Sequence, residues 1–407
     1  MAVFIVLIQN NELFKYVLNL NETKRIKSQN IQIQDITFLN CINNIDIVCF
    51  DKTGVLTTRE IEVKRIHFAD ETPDIDSFLS GKNIFNLTNI ACALCNDVIF
   101  FEKINQADPI DRALIFFALK NRIDINEIKS KYKRIYDKPF DSEDRYMACG
   151  FKLNDKRIYF AKGDPEIILK MCKSYITVSG IEKKMDLEFL LSFNAKTYSI
   201  NQKGDRTIAL AYSKNTLESP PLHYTFLCLL HLENPVKPGV PEVVKKLKEK
   251  GVRTIILTGD RPETAMKIGR EIGIDNLNYC LTGKNIAQME LSEVARQSDH
   301  VSIFARLLPS QKGVLIMLMQ QRKNIVAMVG DGANDAVAIK VADVGVSFVE
   351  KSSPFAKRVS KILVNDLDDL LTIIKSVRRV KCWIGYLMLF RALIFISMLL
   401  TLYIFSI

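Results

Sequence analysis

Three short apolar runs, rich in β-branched residues, each stop abruptly at a polar loop. Residues 45–50 (IDIVCF) run into Asp51-Lys52-Thr53-Gly54 and residues 252–257 (VRTIIL) into Thr258-Gly259-Asp260. Residues 324–329 (NIVAMV) run into Gly330-Asp331-Gly332-Ala333-Asn334-Asp335. Runs of this length and composition predict buried strands. Amphipathic segments follow the last two, at 262–274, with Pro262 near the first helical position, and at 335–341. Strand, polar loop, helix is the grammar of a parallel α/β sheet, whose ligands bind beyond the carboxyl ends of the strands. Any one of these loops alone reads as an ordinary turn or helix cap. Together they predict that Asp51, Thr258 and Asp331 converge on one crevice.

About two hundred residues separate the first run from the second, far beyond a loop, so the stretch reads as an inserted domain. The apolar run at 382–407 has Arg391 as its only charge and is long enough to span a bilayer. Arg378, Arg379 and Lys381 precede it as a cytoplasmic flank would. Arg391 would need a polar partner or a tilt toward the interface. The uncharged start MAVFIVLI lacks the basic lead and small-residue cleavage site of a signal peptide; it reads as a buried strand or the remnant of a membrane helix.

Composition narrows the classes further. With 48% hydrophobic and 25% charged residues the chain is a packed globular protein, which excludes disordered and collagen-like classes. Nine cysteines over 407 residues make no disulfide scaffold and fit a reducing compartment. A net charge of +10 would admit nucleic acid or an anionic membrane. The basic stretch 129–134 lacks aromatic interleaving and reads as a solvated face, so no nucleic-acid partner is expected. Cys92 and Cys95 have redox or zinc-half-site spacing, yet no second pair or histidine cluster accompanies them, so both are expected to face a helix core. Thr282-Gly283-Lys284 lacks the upstream glycine of a Walker loop.

The three loops suit phosphoryl transfer. A carboxylate can attack phosphorus and form an aspartyl-phosphate, splitting one hard displacement into two easier ones. Mg²⁺ held by carboxylates is the expected neutraliser of the phosphoryl charge. Asp51 and Asp331 supply hard oxygen ligands, and Asn334 and Asp335 can hold metal waters or the phosphate. Lys312 lies shortly before the third run, and Thr258 with the amides around Gly259 could donate to phosphate oxygens.

DKTGVLT at 51–57, TGD at 258–260 and GDGANDAVAIKVADVG at 330–345 resemble the phosphorylation, TGD and hinge motifs of P-type ATPases. The resemblance covers roughly residues 40–365 and the C-terminal apolar run. It implies a haloacid-dehalogenase-like parallel α/β phosphorylation domain with an inserted α+β nucleotide-binding domain and one C-terminal transmembrane helix. The implied boundaries are a membrane-proximal segment at 1–38, the phosphorylation domain at 39–60 and 231–376, the nucleotide-binding domain at 61–230 and the membrane helix at 382–407. Asp51 would be phosphorylated within a catalytic set of Lys52, Thr53, Thr258, Gly259, Asp260 and Lys312. Mg²⁺ would sit on Asp51, Asp331 and the Thr53 main chain, with Asn334 and Asp335 behind it. FDSEDRYM at 140–147, AKGDPE at 161–166 and GDRTIALAY at 204–212 resemble nucleotide-domain signatures. Phe140 would stack on adenine, Lys162 and Gly163 line the ATP pocket, and Arg145 and Arg206 contact phosphates.

ENPVKP, DPID, FARLLPSQK and SSPF most resemble the fifth class, which includes polyamine transporters. The actuator TGE loop and the proline-broken helix before the phosphorylation motif are absent, so the chain is expected to be the catalytic half of a pump. Its body would be cytoplasmic and anchored in lipid by the C-terminal helix, with the membrane and actuator half on another polypeptide. Val55 stands where the family has threonine. Two rivals remain at this point: a soluble phosphatase of the same fold, and a degenerate nucleotide-binding protein without transport. Against the phosphatase, Thr53 occupies the position where hydrolases of the fold place an aspartate acid/base.

Overall fold

In the computed structural model the described residues are 31–35, 41, 44–80, 83–98, 104, 106–214 and 220–373. The expected membrane helix at 382–407, its basic flank and the apolar N-terminus all lie outside them. Among the described residues no helix is long and apolar enough to cross a membrane. The chain forms two compact units, one from Met1–Thr57 with Val236–Ile407, the other from Thr58–Pro235.

The chain enters the first unit through β1 (Gln32–Ile33) and β2 (Ile47–Phe50). It then leaves for the second unit, which holds β3 (Glu62–His67), β4 (Lys133–Asp141), β5 (Tyr146–Leu153), β6 (Lys156–Gly163), β7 (Cys172–Ile176), β8 (Glu182–Lys184), β9 (Arg206–Lys214) and β10 (Tyr224–Glu233). Back in the first unit come β11 (Arg253–Leu257), β12 (Leu281–Thr282), β13 (Ile303–Ala305), β14 (Val326–Val329), β15 (Val344–Phe348) and β16 (Ile362–Val364).

The first unit's sheet has the order β1-β16-β15-β14-β2-β11-β13-β12. Every pair is parallel except the edge pair β1–β16. β1 comes from the stretch read in the sequence as membrane-proximal; here it extends the sheet, and Ile31 beside it is buried in the core. Apolar clusters cover both faces, which explains why β2, β11 and β14 are continuous hydrophobic runs without alternation. Registers Phe50↔Val329 and Phe50↔Ile256 bring the carboxyl ends of β2, β14 and β11 level with one another. The loops bearing Asp51, Asp331 and Thr258 therefore leave the sheet side by side. The expected helices are present at Pro262–Glu271 and Ala336–Val341, the latter after one 3₁₀ turn at Ala333–Asp335. Both follow a proline or a polar loop that cannot continue a strand.

The second unit is mostly antiparallel, in the order β4-β5-β6-β9-β10-β7-β8, with β3 also on β10. Helices at Asn83–Leu94 and Pro109–Lys120 contribute to one apolar cluster, and those at Pro165–Met171 and Leu187–Gln202 to another. Asp108, Asp164 and Asp186 cap three of these helices by accepting from their first free amides.

Gly345 on β15 tests how closely the helix after the Asp331 loop is held. A Cβ there would lie 2.4 Å from the carbonyl oxygen of Ile339, a backbone atom with no freedom to swing aside. Gly345→Ala should lower the chain's stability by about 1–3 kcal/mol, read as a lower denaturant midpoint at unchanged slope. An unchanged midpoint would mean that this helix rests only loosely on the sheet.

Candidate active site

At the end of β2 the chain turns through Lys52-Thr53-Gly54. Gly54 takes φ +81°, a left-handed conformation suited to glycine, and the turn is closed by the Gly54 amide donating to Thr57 O at 3.1 Å. The Asp51 amide donates to Val329 O at 3.0 Å, so the turn is pinned to β14 where Asp51 begins. At the end of β14, Gly330 is required for a different reason. A Cβ would lie 2.6 Å from Cβ of Asp335, which folds back to accept from the Gly332 amide at 3.2 Å. At the end of β11, Thr258 is buried, and its Oγ1 accepts from the Asp260 amide at 3.1 Å.

Lys312, on the helix Pro309–Gln321, ties these loops together. Its Nζ donates to Asp51 Oδ1 at 2.6 Å and to Asp335 Oδ1 at 2.7 Å. Burial pulls the Lys312 ammonium's pKa down, but the carboxylates of Asp51 and Asp335 outweigh that and leave it raised. Burial, the negative charge of Asp335 and that of Asp331 push the Asp51 carboxyl up to about 6, against the opposing pull of Lys312. One lysine is thus outnumbered by the acids. Lys52 forms a separate ion pair with Asp260, and Thr53 Oγ1 donates to the same carboxylate at 3.3 Å.

Among the described residues, Asp51, Asp331 and Asp335 place carboxylate oxygens within 4.8 Å of one another. All are hard oxygen donors, and together they fit a divalent cation such as Mg²⁺. Asn334 is exposed beside them. Val55 is fully enclosed in the apolar core, where it packs as an aliphatic side chain.

In the second unit the expected nucleotide residues occupy neighbouring rows of one sheet. Phe140 is 58% exposed on the edge strand β4, an unusual place for a phenylalanine. Arg145 adopts φ +58° in the turn between β4 and β5 and pairs with Asp164 at 3.1 Å. Gly163 lets β6 approach that turn, since a Cβ would lie 2.4 Å from Arg145 O. Arg206 is exposed at the start of β9. Lys162 is buried and ion-paired with Asp111, a partner the sequence reading did not assign. Asp111 sits on the helix Pro109–Lys120 inside the DPID stretch, and its other oxygen accepts from the Asp97 amide at 3.1 Å. A motif pairing DPID with AKGDPE was the only available signal.

Comparison with known proteins bears on both units. Residues 85–239 match the family described as P-type ATPase, cytoplasmic domain N. The chain is 30% identical over 368 residues to Calcium-transporting ATPase lmo0841 of Listeria monocytogenes, covering 87% of this chain and 41% of that protein. It is 30% identical over 385 residues to human Calcium-transporting ATPase type 2C member 2, covering 88% and 39%. It is 28% identical over 386 residues to Calcium-transporting ATPase 1 of Schizosaccharomyces pombe, covering 88% and 42%. The chain thus spans about two fifths of the length of these relatives. These matches support a P-type ATPase relationship and give no support to the polyamine class.

The charge imbalance has a measurable consequence. Between the ordinary carboxyl pKa near 3.8 and about 6, folded Asp51 holds a proton that the unfolded chain has released. Stability therefore falls as pH rises through that window, and the loss is complete above it. Asp51→Asn should be more stable than wild type at pH 7.5 in EDTA by on the order of 1–3 kcal/mol, with the gap closing by pH 4. Millimolar Mg²⁺ should stabilise wild type more than the variant. Denaturant unfolding at pH 4, 6 and 7.5, with and without Mg²⁺, reads both effects.

Proposed function

We propose that this chain, a relative of the calcium-transporting P-type ATPases, is the phosphorylating part of a cation pump: ATP held by the inserted unit gives its γ-phosphoryl group to Asp51. The observation that carries the proposal is the Lys312 ammonium shared between Asp51 and Asp335, with the Asp331 carboxylate beside them.

Each role follows from that arrangement. Asp51, with its carboxyl near 6, is mostly ionised above neutral pH and can attack phosphorus. Lys312 fixes one Asp51 oxygen and leaves the other to react. The Thr258 hydroxyl and the Gly259 amide, at the end of β11, would donate to transferring oxygens. Asp331 and Asp51 would hold Mg²⁺, with Asp335 and Asn334 behind them; when bound, the ion offsets charge on the phosphoryl group. Lys52 orients Asp260, and Asp260 in turn accepts from the Thr53 hydroxyl.

Thr53 carries no acid/base group suited to releasing the phosphate, which favours a lasting aspartyl-phosphate over a phosphatase cycle. Phe140, Arg145, Lys162, Gly163 and Arg206 are the proposed ATP contacts. A membrane location, a cytoplasmic catalytic body and a cation cargo complete the proposal. Calcium is the cargo named for the relatives, and it is adopted here ahead of a polyamine.

Incubation with γ-labelled ATP and Mg²⁺ should give an acid-stable, hydroxylamine-labile adduct on wild type and none on Asp51→Asn. Lys312→Met should slow labelling on the order of 10²- to 10³-fold. The labelling rate should fall as pH drops through about 6, where Asp51 takes up its proton. ATP-independent release of phosphate from small phosphoesters would instead establish the phosphatase.

A further inference from the structure

The second unit carries a groove that none of the proposed ATP contacts uses. It is walled by the helices Pro165–Met171 and Leu187–Gln202 and by the β7–β8 hairpin, and its volume is about 1070 Å³. It opens on the face of the sheet opposite Lys162. Lys162 stands level with Met147 and Leu210, which belong to the apolar cluster on its own side. Leu169 and Cys172, in the groove floor, belong to the cluster on the other side.

An apolar ridge borders the groove. Leu187, Leu191 and Tyr198 are 70%, 62% and 66% exposed. Their i, i+4, i+11 spacing places them on one stripe of the helix Leu187–Gln202, opposite the buried Phe189, Phe193 and Ile200. This helix therefore has one apolar face for the core and a second turned to solvent. The outer stripe is about three turns, or about 16 Å, long. Grouped in this way, exposed apolar side chains mark an interaction surface. The hairpin side of the groove is cationic. Asp164 pairs with Arg145 and Glu166 with Lys170, which leaves Lys173 and Lys184 with no acidic partner among the described residues. The two lysines stand on neighbouring strands, tied by the Met185 amide donating to Lys173 O at 2.9 Å.

We propose that this groove docks an amphipathic helix of a protein partner, its apolar stripe on Leu187, Leu191 and Tyr198 and its acidic side chains on Lys173 and Lys184. A ridge three turns long suits an elongated occupant rather than a small molecule. The apolar floor is recessed between two helices, where a flat bilayer does not enter. A second copy of a chain with net charge +10 brings repulsion in place of complementary charge. The apolar ridge supplies the affinity, and the lysines steer encounter and fix register.

The test selects a phage-displayed library of amphipathic helical peptides, about four turns long, on the full chain and follows the recovered peptides by surface plasmon resonance. Peptides with Asp or Glu flanking an apolar stripe are expected. Their affinity should fall about tenfold or more in Leu187→Ser/Leu191→Ser, through faster dissociation. It should fall about as far in Lys173→Glu/Lys184→Glu, through slower association. All four positions are exposed, so both variants should keep the wild-type denaturant midpoint and lost binding is not lost folding. No selected peptide, a basic selected set, or binding indifferent to either variant overturns the proposal. Displacement of the peptide by millimolar ATP also overturns it, by assigning the peptide to the nucleotide face. Phosphatidylserine-vesicle binding that falls in the leucine variant assigns the groove to a membrane. A dimer lost in that variant assigns it to a second copy, and either result overturns the protein partner.

Discussion

The first unit is organised around one ammonium group facing too many carboxylates. Lys312 reaches Asp51 and Asp335 from a helix that follows β13, while both acids hang from the ends of central strands. A lysine with a single buried partner would make a closed structural pair. Asp331 places a third carboxylate within 4.8 Å of the other two. Holding such groups together costs folding free energy, because burial favours the neutral form of each. The sheet tolerates this because its two apolar clusters fix the strand ends regardless of the charges beyond them. A buried cluster of carboxylates around one lysine is the reverse of a site built only for stability.

The same sheet explains how a large insertion is accommodated. After Asp51 the chain makes only a short turn before leaving, and it returns beside the same turn. Thr57 forms an antiparallel bridge with Val236, and the Lys237 amide donates to Leu56 O at 2.9 Å. Lys237 Nζ also donates to the Gly54 carbonyl within the turn after Asp51. The exit and entry points are thus zipped side by side, so the inserted residues impose no separation on β2 and β11. That adjacency is what lets two strands some two hundred residues apart pair in parallel with Asp51 between them.

Much of the first unit was legible in the sequence because its signals are local. Each central strand is a short apolar run ended by glycine and aspartate, and each loop is contiguous. The partners across loops were not legible. Nothing in DKTG names Asp260 as the acid for Lys52, since that depends on the register of β2 against β11. Asp111 was hidden for the same reason: its pairing with Lys162 joins a helix to a strand 51 residues away. The edge strand β1 escaped notice because two residues carry too little pattern to read. Residues beyond 373 are not described, so the apolar run at 382–407 stands on its sequence alone.

Comparing the two buried lysines sharpens what each can do. Lys162 and Lys312 are almost equally enclosed, at 5% and 4% exposure, and each is held by aspartate. Lys312 answers two carboxylates, with a third nearby. Lys162 answers one, and its pair is already neutral overall. Removing Asp111 would leave an uncompensated buried charge, whereas removing both partners together would cost less. An ammonium has three donor protons, and the ion pair commits one. The position of Lys162 is set by Asp111, and that of Asp111 in turn by the Asp97 amide.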